Sequence, residues 1–264
     1  MARVRLPNSR GLRAPKTFFS PAPPRVLAHR GFAIDAPENT LLAFLAALTL
    51  GITHIETDVQ VSRDGIAVIS HDPDLWRLTG SKVLVNELTM AELRAIDLGE
   101  GQTFCSLGEA LEAFPDARFN IDIKSRDAVG PAAEAILAAN AVSRVLVASF
   151  SDGRRASAVR RLPGVATSAS ASQLVMALFA AKLGLSGVVR LALRQVDAVQ
   201  VPERVLGFAV TTTRMIRLFH SAGVEVHAWT INEPATMRLL FARGVDGIVT
   251  DRADLALKVV REVG

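Results

Sequence analysis

The sequence predicts an α/β fold, a TIM (β/α)8 barrel with a small insertion after the second strand. Three observations carry this. Apolar runs of strand length recur roughly eight times, segments of helical spacing separate them, and a chain of 264 residues has the length such a barrel uses as one domain. Half of the residues are apolar and 21% are charged, which supplies a buried core and argues against global disorder.

Taken in order, the expected strands are Val26 to Ala28, Thr53 to Val59, Arg118 to Ile123, Arg144 to Ala148, Val165 to Thr167, Ala198 to Val201, Glu225 to Trp229 and Gly247 to Thr250. Between them run patterns such as Leu41, Phe44, Leu45 and Leu48, spaced i, i+3, i+4, i+7 as on one face of a helix. Strands alternating with helices build a parallel sheet, and eight strands close a barrel. An open doubly wound sheet is the alternative. Against it, "HRGFAIDAPEN" after the first strand is not the G-x-G-x-x-G of a dinucleotide site.

The alternation breaks at "VQVSRDGIAVISHDPDLWRLTG", where Asp64-Gly65 between two alternating segments signals a two-residue hairpin turn. The second strand should therefore run into a hairpin and an excursion over the barrel mouth, with the next helix starting near Leu88. Residues 1–24 read as a basic, flexible N-terminal extension, and 25–264 as the single barrel domain.

Lys and Arg number 30 against 26 Asp and Glu, a formal charge of +4, with part of the excess at Arg3, Arg5, Arg10, Arg13, Lys16 and Arg25. Such a leader can lean on anionic surfaces, but the chain has no aromatic-rich basic motif, so nucleic acid is not an expected partner. The leader also lacks the continuous apolar segment of a secretory signal, and the single Cys105 suits a reducing compartment. The expectation is a cytoplasmic protein. Ser172 to Leu193 is strongly apolar but interrupted by Lys182, Gly184, Gly187 and Arg190, which reads as barrel helices rather than a spanning segment. It leaves room for peripheral membrane contact.

Barrel chemistry gathers at the C-terminal ends of the strands. The first strand ends in His29-Arg30. The second carries Glu56 and Asp58 at i, i+2, on one face; the hairpin returns to His71-Asp72; the third strand carries Asp122 and Lys124; the seventh adds His227 and Trp229. Three carboxylates facing inward at one end repel and are costly to desolvate without positive charge between them. Separate salt bridges, such as Asp122 with Lys124, would answer that in part. A hard divalent cation, Mg²⁺ or Ca²⁺, answers it for all three, since zinc would recruit histidine or thiol. His29 and His71 are natural proton carriers near neutrality, and Arg30 and Lys124 add fixed positive charge suited to phosphate oxygens. Together these describe a phosphoryl-transfer site with water or a hydroxyl as nucleophile.

The segments "AHRGFAIDAPENT", "GITHIETDVQVSRDGIAVISHD", "FNIDIK", "HAWTIN" and "GVDGIVTD", in this order and spacing, resemble the glycerophosphodiester phosphodiesterase family from about Leu27 to Asp251. The resemblance implies metal-dependent hydrolysis of small-molecule glycerophosphodiesters to sn-glycerol 3-phosphate and an alcohol. It implies His29 and His71 as the acid/base pair, Glu56, Asp58 and Asp122 as metal ligands, and Arg30 and Lys124 as phosphate contacts. Trp229 would line the substrate pocket and Asn39 would position the site; core packing and helix capping are their competing roles. Lysophospholipid hydrolysis of the phospholipase D type and a non-catalytic phosphodiester-binding module are the alternatives. One position departs from the family pattern: Asp122 stands where Glu is usual, retracting the carboxylate by one methylene, roughly 1.5 Å.

Overall fold

The computed structural model describes residues 16–205 and 208–263. Its strands are β1 (Arg25–His29), β2 (His54–Val61), β3 (Ala67–Ile69), β4 (Arg118–Ile123), β5 (Val145–Ala148), β6 (Ala166–Thr167), β7 (Ala198–Pro202), β8 (Arg204–Val205), β9 (Phe208–Ala209), β10 (Glu225–Trp229) and β11 (Gly247–Thr250). Eight of them form a parallel sheet in the order β6-β5-β4-β2-β1-β11-β10-β7. A parallel bridge between Ser168 and Ala198, in which the Ala169 amide donates to the Ala198 carbonyl at 2.9 Å, brings the two ends of that sheet together. This closure makes the barrel and removes the open-sheet alternative.

The helices are α1 (Leu41–Thr49), α2 (Trp76–Thr79), α3 (Met90–Arg94), α4 (Leu107–Ala113), α5 (Val129–Ala138), α6 (Asp152–Arg161), α7 (Ala171–Lys182), α8 (Ser186–Leu193), α9 (Thr213–Ser221), α10 (Pro234–Ala242) and α11 (Ala253–Val263). Several start at a hydroxyl that accepts from a first-turn amide, as Thr40 does from Ala43, Ser151 from Arg154 and Thr212 from Met215. The helices bury one face on the strands: Phe44 of α1 and Leu111 of α4 meet Phe119 and Ile121 of β4 on one side of the barrel. On the other side Phe219 and Leu240 meet Val199 and Val226. Full burial of such a side chain contributes about 1.5–3 kcal/mol, so these faces fix where each strand end lies.

The insertion after β2 departs from the sequence expectation in two details. Ser62 and Ile66 still pair, the Ser62 amide donating to the Ile66 carbonyl at 3.0 Å, and Gly65 sits at φ +81° with its amide on the Ser62 carbonyl. The loop is therefore three residues, Arg63 to Gly65, closed by a left-handed glycine, rather than two. The helix expected near Leu88 is α3, capped by Thr89 and Glu92, but it belongs to the insertion. The helix that returns the chain to β4 is α4, capped by a Ser106–Glu109 box. Val68, Leu75, Val85, Met90, Leu93 and Phe104 give the insertion its own small core.

Of the extension expected over residues 1–24, residues 1–15 lie outside the described residues. Lys16 pairs with Asp197 at 2.5 Å, and Thr17–Phe19 form a 3-10 turn that buries Phe18 completely. Phe18 packs edge-on against His54 at 5.1 Å, beneath the barrel interior. An apolar ring that fills the strand-start end explains why this stretch packs despite its flanking charges. Among the described residues, no helix is long and apolar enough to cross a membrane.

Candidate active site

The parallel register places the polar strand-end residues in layers. His29 of β1 lies beside Glu56 of β2, Glu56 beside Asn120 of β4, and Asp58 beside Asp122. Because alternate side chains share a face, Glu56 and Asp58, and Asn120, Asp122 and Lys124, all turn into the mouth. With His29, Arg30 and His71 they line one cavity of about 440 Å³. Its opposite wall is apolar, formed by Phe150, Leu174, Val175, Leu178 and Trp229.

Each histidine has a carboxylate behind it. His29 Nδ1 lies 2.6 Å from Asp251 Oδ1 and His71 Nδ1 lies 2.8 Å from Asp72 Oδ1. A carboxylate on Nδ1 fixes the tautomer with the proton there and leaves Nε2 to exchange protons; His29 Nε2 is 3.9 Å from Glu56 Oε2. The bond from His29 is the main reason the Asp251 carboxyl is held below the usual range, against partial burial. Asp251 is itself held by Asn232, whose amide donates to Asp251 Oδ2 at 2.8 Å. Burial acts to raise the Asp72 carboxyl, but hydrogen bonds from His71 and Arg77 outweigh it and hold it low.

Lys124 bridges two carboxylates, with Nζ 2.7 Å from both Asp58 Oδ1 and Asp122 Oδ2. Burial alone would depress the ammonium; Asp58 and Asp122 reverse that and raise it. Arg30 reaches Glu38 at 2.9 Å and lies 3.3 Å from Asp58. Glu56 has less support: burial, then Asp58 and Asp122, push its carboxyl well above the usual range, against the weaker pull of Lys124 and Arg30.

All nine sequence-predicted site residues come to this region. Asn39, at φ 57°, does not cap α1, since Thr40 does. Its side-chain oxygen accepts from Thr57 at 2.8 Å and its amide lies 3.3 Å from Asp58, so it orients that carboxylate. Trp229 is a cavity wall and packs edge-on to Phe150 at 6.2 Å. His227, on the same strand, is fully buried at the other end of the barrel, 3.1 Å from Glu225, and takes no part in the mouth. Sequence reading missed Asp251 as the partner of His29, Asp72 as the partner of His71, and Asn120. The signal for Asn120 was its i, i+2 spacing to Asp122; for Asp251 it was only a position one residue past the last strand.

The donor set suits a hard divalent cation. Glu56 Oε2, Asp122 Oδ1 and Asn120 Oδ1 are buried acceptor oxygens with no hydrogen-bond partner, and such orphans call for a donor or an ion. Among the described residues, no three His, Cys, Asp or Glu side chains are drawn together tightly enough to hold an ion as they stand. Lys124 occupies the interval between Asp58 and Asp122 instead.

Residues 29–255 match the model of the Glycerophosphoryl diester phosphodiesterase family. The "Probable glycerophosphodiester phosphodiesterase 2" of Mycobacterium tuberculosis is 44% identical over 236 residues, covering 89% of this chain and 89% of that one. A glycerophosphodiester phosphodiesterase structure from Thermotoga maritima aligns with a TM-score of 0.70 at 28% identity, covering 89% of this chain and 97% of that one. An Oleispira antarctica phosphodiesterase in complex with the product sn-glycerol-3-phosphate aligns with a TM-score of 0.72 at 24% identity, covering 90% and 97%.

Proposed function

The chain belongs to the glycerophosphoryl diester phosphodiesterase family and is an enzyme of that activity; on that premise we propose that it hydrolyses glycerophosphodiesters to sn-glycerol 3-phosphate and an alcohol with a divalent cation, Mg²⁺ or Ca²⁺, at the barrel mouth. One observation supports this most. Two carboxylate-backed histidines share a single cavity with Glu56, Asp58, Asp122, Arg30 and Lys124. The product named for the Oleispira antarctica neighbour supports the glycerol phosphate half of the reading.

In this reading Glu56, Asp58 and Asp122 would hold the cation, and when bound it would supply positive charge for the phosphoryl oxygens. The shorter Asp122 can join through its unpartnered Oδ1. Arg30 and Lys124 meet the remaining phosphoryl oxygens. His29 and His71 divide the proton work: the Nε2 of one takes the proton of the attacking oxygen, and the other gives its proton to the departing alkoxide. Asp251 and Asp72 hold each ring in place and stabilise it while charged. The attacking oxygen is water, or the substrate's own glycerol 2-hydroxyl through a cyclic phosphate; phosphorus NMR during turnover distinguishes the two.

The test is turnover of glycerophosphocholine by His29→Ala and His71→Ala. Each should lower kcat by about 10²–10⁴-fold at an unchanged melting temperature. Near wild-type turnover in either variant would overturn the two-histidine assignment.

A further inference from the structure

Helices α7 and α8 carry the largest exposed apolar face among the described residues. Val175, Met176 and Phe179 of α7 and Leu183 at its C-cap stand at i, i+1, i+4 and i+8, with fractional exposures of 62%, 49%, 67% and 58%. Leu185, Val188 and Leu191 continue the face onto α8, Leu191 at 63%. The opposite sides of both helices are already used: Ala177, Ala180 and Ala181 of α7 and Val189, Ala192 and Leu193 of α8 lie in the barrel core. A contiguous exposed face of this size costs free energy in water unless something covers it.

The charge around the face narrows what covers it. From Gly153 to Val196 the chain has no Asp or Glu, and Arg190 of α8 and Arg194 at its C-cap stand exposed. In a two-fold contact between copies, a surface meets its own equivalent, so Arg190 and Arg194 would face the same arginines with no acid from this stretch between them. An anionic bilayer offers apolar chains to the leucines and phenylalanine and negative headgroups to the cations.

We propose that the α7–α8 face docks on the surface of an anionic lipid bilayer. The face is continuous with the site: Val175 is both exposed and a wall of the catalytic cavity, and Leu174 and Leu178 of the same helix line it. Docking there holds the cavity mouth beside the bilayer, where phosphodiester headgroups are concentrated.

Flotation of the full chain with liposomes tests this, comparing phosphatidylcholine alone with phosphatidylcholine containing 30% phosphatidylglycerol (roughly the anionic share that makes a surface potential matter). The variant is Phe179→Ser with Leu191→Ser, both exposed and neither a wall of the catalytic cavity. Wild type should bind the anionic vesicles about tenfold more tightly than the neutral ones, and the double variant should lose about tenfold or more of that affinity. Its turnover of soluble glycerophosphocholine should stay within about twofold of wild type, which separates this proposal from the assignment of the site. The variant keeps Arg3, Arg5, Arg10 and Arg13, so binding that survives it would belong to those N-terminal cations and would overturn the proposal. Absence of vesicle binding by wild type would overturn it too. So would sedimentation showing a wild-type dimer that the double variant dissolves, because the face would then be covered by a second copy.

Discussion

The two ends of this barrel contain the same kinds of side chain and use them differently. At the strand-start end Arg25, Glu225 and His227 are linked by hydrogen bonds, and the rings of His54 and His227 pack against Phe18. Arg25 donates to Pro21, Phe19 and Glu225; His54 contacts the Phe18 carbonyl at 2.6 Å; His227 contacts Glu225 at 3.1 Å. At the mouth, three acceptor oxygens are orphaned and carboxylates crowd one another around an open cavity. Both ends contain histidine and acid, so residue type alone does not mark a site. What marks it is polar valence left unspent beside a space that a substrate can enter. Apart from His227 Nδ1, which has no partner, the strand-start end converts these polar groups into fold; the mouth keeps its groups for ligand.

That contrast can be broken from either side. His29→Ala should remove turnover and leave stability alone, whereas Phe18→Ala should do the reverse. Phe18 is fully buried, so its truncation should cost about 3–5 kcal/mol in denaturant unfolding, while kcat/KM per folded molecule stays near wild type. A large loss of activity without destabilisation in Phe18→Ala would mean that the two ends are not independent.

A smaller effect comes from pH. Burial lowers the pKa of His54 from its ordinary 6.5 to about 4, so the folded state holds it neutral. A base depressed in this way contributes stability that is fully present above its unfolded pKa. That stability is lost as pH falls from about 6.5 through about 4, up to roughly 3 kcal/mol in all. Urea midpoints measured across that window should fall more steeply for wild type than for His54→Gln. Equal slopes would mean that His54 is not held neutral by the fold.

The alternation of strand residues made much of the mouth legible. Glu56 with Asp58, and Asp122 with Lys124, declare a shared face by their spacing, and His29 stands where an apolar run stops. What stayed hidden depends on closure. Asp251 meets His29 only because β11 pairs with β1, residues separated by most of the chain. Phe18 looked like part of a basic leader because its burial comes from the barrel floor and not from local pattern. Asn39 could not be told from a helix cap until Thr40 was seen to hold that place. The turn at Asp64-Gly65 was recognisable from its glycine, but its length was set by the Ser62–Ile66 pair.

The most direct test of the difference between the ends is removal and return of the cation. After thorough chelation, wild-type protein should lose turnover of glycerophosphocholine and regain it with Mg²⁺ or Ca²⁺. At about 100 times the dissociation constant the added ion should stabilise the fold by about 2.7 kcal/mol. Glu56→Gln should show neither the rescue nor the stabilisation. Full turnover in the stripped wild type would contradict the account, because the unspent oxygens of Glu56 and Asp122 would then have no cation to serve.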